Sequence, residues 1–159
     1  MVKIGNFFFR YRNFLFPFFY LMLFVPSPLL TYDYPIVLYL GLAVTISGEA
    51  IRFLTIGLVY IVRGGKGRRI YAQGLVTDGI YAHCRNPMYV GNVLMLLGMG
   101  ILSNSLIFML TMVPFFLFIY QAIILAEEDF LRREFGESFN EYCANTNRWT
   151  LKLAGLGTT

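Results

Sequence analysis

The sequence predicts an all-α fold: an integral-membrane helical bundle of four transmembrane helices, followed by a C-terminal amphipathic interfacial helix. Of its 159 residues, 57% are hydrophobic and 14% charged, against about 25% charged in an ordinary soluble domain. There is too little polar surface to clothe a water-facing globule. Four long apolar stretches punctuate the chain, and each approaches the ~20 residues a helix needs to cross ~30 Å of hydrocarbon. The lysines and arginines fall outside those stretches, with Arg52 the exception.

The first stretch, residues 14–30, follows a segment carrying Lys3, Arg10 and Arg12. Aromatics crowd it and no small-residue cleavage site follows, so it reads as a retained helix rather than a signal peptide. The second, residues 36–62, is longer than the hydrocarbon requires and must tilt, kink or protrude. A polar connection over residues 63–84, rich in glycine and arginine, is of a length that is often functional. Residues 88–102 are joined through Ser103, Asn104 and Ser105 to residues 106–126, which makes these two spans an antiparallel hairpin. After Ala126 the chain turns acidic at Glu127, Glu128 and Asp129, while Phe130, Leu131, Phe135, Phe139 and Tyr142 recur at helical spacing. That pattern predicts an amphipathic helix lying along the membrane surface, with Gly136 a candidate break.

With four spans, the N-terminal segment, the 63–85 connection and the C-terminal segment share one side, and they hold every Lys and Arg except Arg52. Basic residues concentrate in cytoplasmic loops, so both termini are expected in the cytoplasm, at the inner membrane of a prokaryote or the endoplasmic reticulum of a eukaryote. The net charge of +4 then calls for no nucleic-acid partner, because topology and attraction to membrane lipids produce the same asymmetry. Cys84 and Cys143 stand far apart, and with one histidine in the chain, His83 beside Cys84, neither a disulfide framework nor a metal site can be argued.

Three places hold residues able to do chemistry. Glu49 and Arg52 lie three apart near the middle of the second span and so share a helical face. Charges at that depth are costly and mark either a functional path or a self-neutralising pair. In residues 79–91, Asn86 before Pro87 reads as a helix cap followed by proline at the first helical position. Arg85 beside it offers an anion site, or a side chain snorkelling to headgroups; His83 alone is a weak candidate. The pair Glu127 and Glu128 at the end of the fourth span needs compensation from a cationic ligand, an arginine such as Arg85, or continuation of the helix. Neither Gly64–Gly67 nor Gly98–Gly100 has the spacing of a nucleotide-binding loop.

Residues 75–81, 85–91 and 127–142 follow the patterns Leu-Val-x-x-Gly-x-Tyr, Arg-His-Pro-x-Tyr-x-Gly and Glu-Glu-x-x-Leu-x-x-x-Phe-Gly-x-x-Tyr-x-x-Tyr. They resemble the membrane methyltransferase family that contains isoprenylcysteine carboxyl methyltransferases and phospholipid methyltransferases, over about half of the chain. The resemblance implies a single methyltransferase domain with S-adenosylmethionine as the methyl donor. It implies cofactor contacts at Gly74, Leu75, Val76, Tyr81, Asn86, Pro87, Met88, Tyr89 and Glu127, and catalytic roles for Arg85, Glu127 and Glu128. It also implies a lipophilic or small, membrane-partitioning acceptor. The chain departs from the pattern at Asn86, where His is usual, and at Phe139, where Tyr is usual. Ile123 stands where the isoprenylcysteine branch places an arginine, which favours a general lipophilic acceptor over a prenylcysteine carboxylate. Against the enzyme stand a small transporter lined by Glu49 and Arg52, and a catalytically silent scaffold. The polar residues gather at one interface rather than at mid-membrane in several helices, which favours the enzyme over a transporter.

Overall fold

The computed structural model describes residues 1–59, 63–66, 69–72, 75 and 77–153. Five α-helices dominate: α1 (Val2–Tyr20), α2 (Tyr34–Val59), α3 (Pro87–Leu102), α4 (Val113–Phe135) and α5 (Glu137–Asn145). A two-stranded antiparallel hairpin, β1 (Arg63–Lys66) with β2 (Arg69–Ala72), occupies part of the connection read above as a loop. It gives the backbone of that polar segment hydrogen-bond partners of its own.

The first helix lies earlier than residues 14–30. It begins at Val2, carries Pro17 within it, and tightens into a 3-10 turn at Leu21–Phe24. The chain then becomes extended at Val25, because proline at position 26 disfavours helical backbone in the residue before it. Asp33 starts α2: its Oδ1 accepts from the Ile36 amide at 3.3 Å, which satisfies one of the orphan donors of the first turn. Ser105 does the same for the fourth helix, accepting from the Phe108 amide at 3.2 Å. A π-turn at Phe108–Met112 follows, just ahead of Pro114, which has no N–H to give the preceding turn.

The fourth helix does not stop at Ala126. It runs through both glutamates to Phe135 and breaks at Gly136 (φ +51°), a backbone conformation that glycine adopts without penalty. The expected interfacial helix is therefore divided: residues 127–135 are the last turns of α4, and α5 is a separate nine-residue helix.

Two helices, Tyr34–Gly57 and Phe108–Phe135, are long and apolar enough to cross a bilayer, while Pro87–Leu102 is apolar but shorter. α2 turns Ile36, Tyr39, Leu40, Ile46 and Phe53 outward, an extended apolar surface of the kind that meets lipid.

The helices pack as two antiparallel pairs, α1 on α4 and α2 on α3. Small residues let the backbones approach. A Cβ on Gly48 would stand 2.7 Å from the Gly91 carbonyl oxygen, and one on Gly5 would collide with the Ala122 carbonyl. Between the pairs lies a core of Phe9, Tyr89, Leu96, Phe116, Ile119, Tyr120 and Ile123. Phe116 takes edge contacts from Phe16 and Phe19, with ring centroids 5.3 and 5.8 Å away. At one end of the bundle, Asn104 (φ +52°) accepts through Oδ1 from the amides of Leu30 and Thr31 and donates through Nδ2 to the Thr31 carbonyl. The α1–α2 and α3–α4 connections are thereby tied together.

Candidate functional site

The opposite end of the bundle holds most of the residues singled out in sequence. Continuing α4 past Ala126 places the two adjacent glutamates about 100° apart around the helix, so they reach different partners. Glu127 Oε1 accepts from the Tyr89 hydroxyl of α3 at 2.8 Å. Glu128, whose side chain is 4% exposed, is gripped by Arg148 through Nε at 2.9 Å and Nη2 at 2.8 Å, and Arg85 Nη1 stands 3.5 Å away. This two-pronged geometry is the strong form of a charge-assisted bond. The bond to Glu128 raises the Arg148 pKa and holds it as a cation. The charge compensation expected for the acidic pair thus comes from helix continuation and from two arginines together.

The tail after α5 folds back over the segment that leads into α3. The Arg85 amide donates to the Asn147 carbonyl and the Lys152 amide to the His83 carbonyl, both at 2.9 Å. Trp149 Nε1 donates to Gln121 Oε1 at 2.9 Å. His83 presents Nδ1 to the Lys152 carbonyl at 2.7 Å. A carbonyl only accepts, so Nδ1 carries the proton, and the buried Nε2 has no hydrogen-bond partner among the described residues. The Cys84 sulfur lies 3.5 Å from the Arg148 carbonyl oxygen and is fully buried. Both cysteines are free thiols.

Asn86 occupies the cap position of α3, with Pro87 next, as the sequence reading expects, but its side chain does not cap. Its carbonyl takes the Tyr89 and Val90 amides, while Nδ2 donates to the Arg148 carbonyl at 3.2 Å. The bond from Nδ2 to the folded-back tail fixes the amide group in an orientation that keeps Oδ1 from accepting the N–H groups of the first turn. Asn86 Oδ1 is left buried with no hydrogen-bond partner among the described residues, a costly state for an amide oxygen unless a ligand meets it.

Tyr81 is buried, and its carbonyl accepts from the Tyr142 hydroxyl at 2.6 Å. Leu75 packs beside Leu131, Phe139 and Tyr142. Phe139, at a position where tyrosine is usual, is thus an apolar core residue. Pro87 is buried and Met88 half-buried in the first turn of α3. Gly74 and Val76 lie outside the described residues. Leu75, Thr77, Ala82, Tyr142 and Lys152 are among the residues lining a cavity of about 660 Å³, within the size range of small-molecule sites. The structure therefore brings Arg85, Asn86, Tyr89, Glu127 and Glu128 together and attaches Tyr81 and Leu75 to their flank. Ile123 is fully buried in the core. Arg148 as a structural counter-ion escaped the sequence reading, since nothing local links it to a carboxylate twenty residues earlier.

A helical bundle with two spans apolar enough to cross a bilayer and with the charged motif residues gathered at one end fits the class of membrane proteins that the comparisons identify. The phospholipid methyltransferase family profile matches residues 36–138; the chain belongs to this family. It is 35% identical over 109 residues to the cobalt-zinc-cadmium resistance protein CzcN of Cupriavidus metallidurans, covering 64% of this chain and 50% of that protein. To the nickel-cobalt-cadmium resistance protein NccN of Alcaligenes xylosoxydans xylosoxydans it is 33% identical over 109 residues, 64% of this chain and 51% of that one. It is also 40% identical over 72 residues to the protein-S-isoprenylcysteine O-methyltransferase of Schizosaccharomyces pombe, 43% of this chain and 29% of that enzyme. The chain spans about half the length of the two resistance proteins. No solved structure matches it.

Proposed function

We propose that the chain is an integral-membrane methyltransferase that uses S-adenosylmethionine and methylates a lipophilic or small membrane-partitioning acceptor. In this reading it forms one domain with four helices in the bilayer and both termini cytoplasmic. The observation that carries it is the pairing of Glu127 with Tyr89 one turn from Asn86, whose buried Oδ1 lacks a partner among the described residues. A carboxylate and an orphan amide oxygen, beside a helix N-terminus that favours anions, suit a zwitterionic donor carrying an ammonium, a sulfonium and a carboxylate.

The residues we assign to that donor are Gly74, Leu75, Val76, Tyr81, Asn86, Pro87, Met88, Tyr89 and Glu127. When bound, its sulfonium supplies the methyl group for an in-line displacement, a reaction in which alignment of the partners provides much of the rate. Tyr89 orients the Glu127 carboxylate, and Asn86 offers its free acceptor. Arg85 and Glu128 form the charged wall beside the reacting groups. Both Glu128 oxygens are engaged by arginine, so an amine acceptor would pass its proton to Glu127, whereas a carboxylate acceptor needs no base. Calorimetric titration of the purified protein with S-adenosylmethionine tests the reading, and no binding by the folded wild type refutes it. Incubation with radiolabelled donor and N-acetyl farnesylcysteine, aminophospholipids or a small thiol then sorts the acceptor class. Base-labile methyl ester formed only on the farnesylated compound would reverse the ranking drawn from Ile123.

A further inference from the structure

Arg52 is the charged residue that neither the motif region nor the folded-back tail explains. It lies on α2 within an apolar span, where an arginine is costly and faces a partner or a polar path. Its partners are meagre. Nη1 donates to Glu49 Oε2 at 3.2 Å and points to the Met95 sulfur at 2.9 Å. Among the described residues its hydrogen bonds leave from Nη1, and Nε is buried with no partner. A guanidinium has five donors in a planar fork. Arg148 in the same molecule shows what the Nε and Nη2 edge does when filled, since it holds both oxygens of Glu128. On Arg52 that edge meets no partner among the described residues.

The stem of Arg52 is set in place rather than mobile. A Cβ on Gly91 would stand 2.6 Å from Arg52 Cγ, so the glycine notch of α3 seats the side chain. Met95 of α3 receives Nη1 on the same helix, so α2 and α3 together hold this guanidinium. The Tyr120 ring is 5.6 Å from the Tyr89 ring, and Tyr89 carries the bond to Glu127. Met95, which Arg52 Nη1 meets, and Tyr89 both lie on α3, so the guanidinium stands on the helix that carries part of the proposed transfer site. Glu49 is itself half-exposed and meets the fork with a single oxygen, so an incoming oxyanion can take the vacant edge without displacing a two-pronged bond.

We infer that Arg52 is the anchor for an oxyanion, carboxylate or phosphate, borne by an apolar-tailed methyl acceptor that enters between the two helix pairs. This rests on the methyl-transfer reading for the identity of the ligand as acceptor. It also supplies, from a different helix, the cation that Ile123 leaves out.

The test measures binding in detergent by flow dialysis with no methyl donor present, using radiolabelled oleate, dioleoylphosphatidate and, as the uncharged control, methyl oleate. Wild type should prefer oleate to methyl oleate at least tenfold. Arg52→Lys keeps the charge but loses the fork, and should weaken oleate binding about tenfold. The Glu49→Gln/Arg52→Gln double variant should abolish the preference, and Arg10→Gln on the exposed face of α1 should leave it intact. Glu49→Gln alone removes the competing carboxylate and should tighten oleate binding about threefold, an outcome a merely structural role for the pair does not produce. Stronger binding of phosphatidate identifies a phospholipid headgroup as the source, and stronger binding of oleate a carboxylate. Equal affinity of wild type for oleate and methyl oleate overturns the inference. So does an unchanged preference in an Arg52→Lys protein that elutes like wild type, or, where that variant misfolds, unchanged or weaker binding by Glu49→Gln. A wild type that binds oleate through Arg52 yet fails to bind S-adenosylmethionine would sink the methyl-transfer reading and leave the anion site standing.

Discussion

Arg148→Gln removes the two-pronged grip on Glu128 and leaves a nearly buried carboxylate with Arg85 at 3.5 Å. Two charge-assisted bonds of 2.9 and 2.8 Å are lost, and breaking a buried ion pair costs ~3–5 kcal/mol. Because Arg148 is about a third exposed and Arg85 retains part of the compensation, the lower end applies, about 3 kcal/mol. The loss falls on the docking of the tail over the segment that carries Cys84. That thiol is fully buried against the Arg148 carbonyl and becomes reactive only when the tail lifts. In a Cys143→Ser background, labelling by a fluorogenic maleimide therefore reads the population of the lifted state. At 1.36 kcal/mol per tenfold, 3 kcal/mol corresponds to labelling faster by roughly 150-fold. The Glu128→Gln/Arg148→Gln double variant should label more slowly than the single one, because no charge is left stranded. A single variant that labels within threefold of the parent would refute the assignment of the Glu128 clamp as the fastening of the tail.

Glu127→Ala and Tyr89→Ala should each weaken S-adenosylmethionine binding about tenfold or more without unfolding the protein, since each removes one side of a charge-assisted bond worth about 1.5–3 kcal/mol; calorimetry on the purified variants checks this. For Glu49 and Arg52, either single change to Ala should lower folded yield more than the double change does, and additive losses would show that the two do not interact. Gly48→Leu would drive a side chain into the backbone of α3, within 2.9 Å of Gly91, Leu94 and Met95 atoms, and should reduce the thermal stability of the detergent-solubilised protein sharply. Cysteines introduced at Lys3 and Lys152 should be labelled from the cytoplasmic side and one at Tyr32 from the opposite side; labelling of the first two from opposite sides would sink the topology.

The helical architecture and the α3–α4 hairpin are legible in the sequence because apolar periodicity and a three-residue polar link are local signals. So is the approach of Arg85, Asn86, Tyr89 and the glutamates, since the motifs that carry them have fixed order and spacing. The position of α1 is not: counting charges at Lys3, Arg10 and Arg12 argues against a helix through them, whereas the structure exposes Lys3 and Arg10 and lays Arg12 over the Phe9 ring, on a helical run that ends only where proline at position 26 enforces extended backbone. Where α4 ends is likewise hidden. An acidic pair looks like a helix terminus until Arg148 and Arg85 arrive from elsewhere in the chain to neutralise it. The side chain of Asn86 illustrates the same limit. Its local signal says cap, yet a carbonyl more than sixty residues away takes its Nδ2 and so turns Oδ1 from the helix N–H groups.

The tie made by Asn104 sets how the molecule can move. At that end both connections that join the α1–α4 pair to the α2–α3 pair are bonded to each other, so the pairs behave as the two arms of a pair of tongs with a fixed pivot. At the other end the α2–α3 connection stays within one arm in chain order, while its strand β2 packs against α1 and α4 of the other; tertiary contacts alone join the arms there. They are held shut by Tyr89 on Glu127, by the arginines on Glu128 and by the folded-back tail. Under the proposed function, a long-chain acceptor entering from the bilayer would part the arms at the tips, where the carboxylates stand, and a donor that drew Glu127 away from Tyr89 would loosen the same grip. On the proposed methyl-transfer reading, loading one substrate and admitting the other would be a single movement about Asn104.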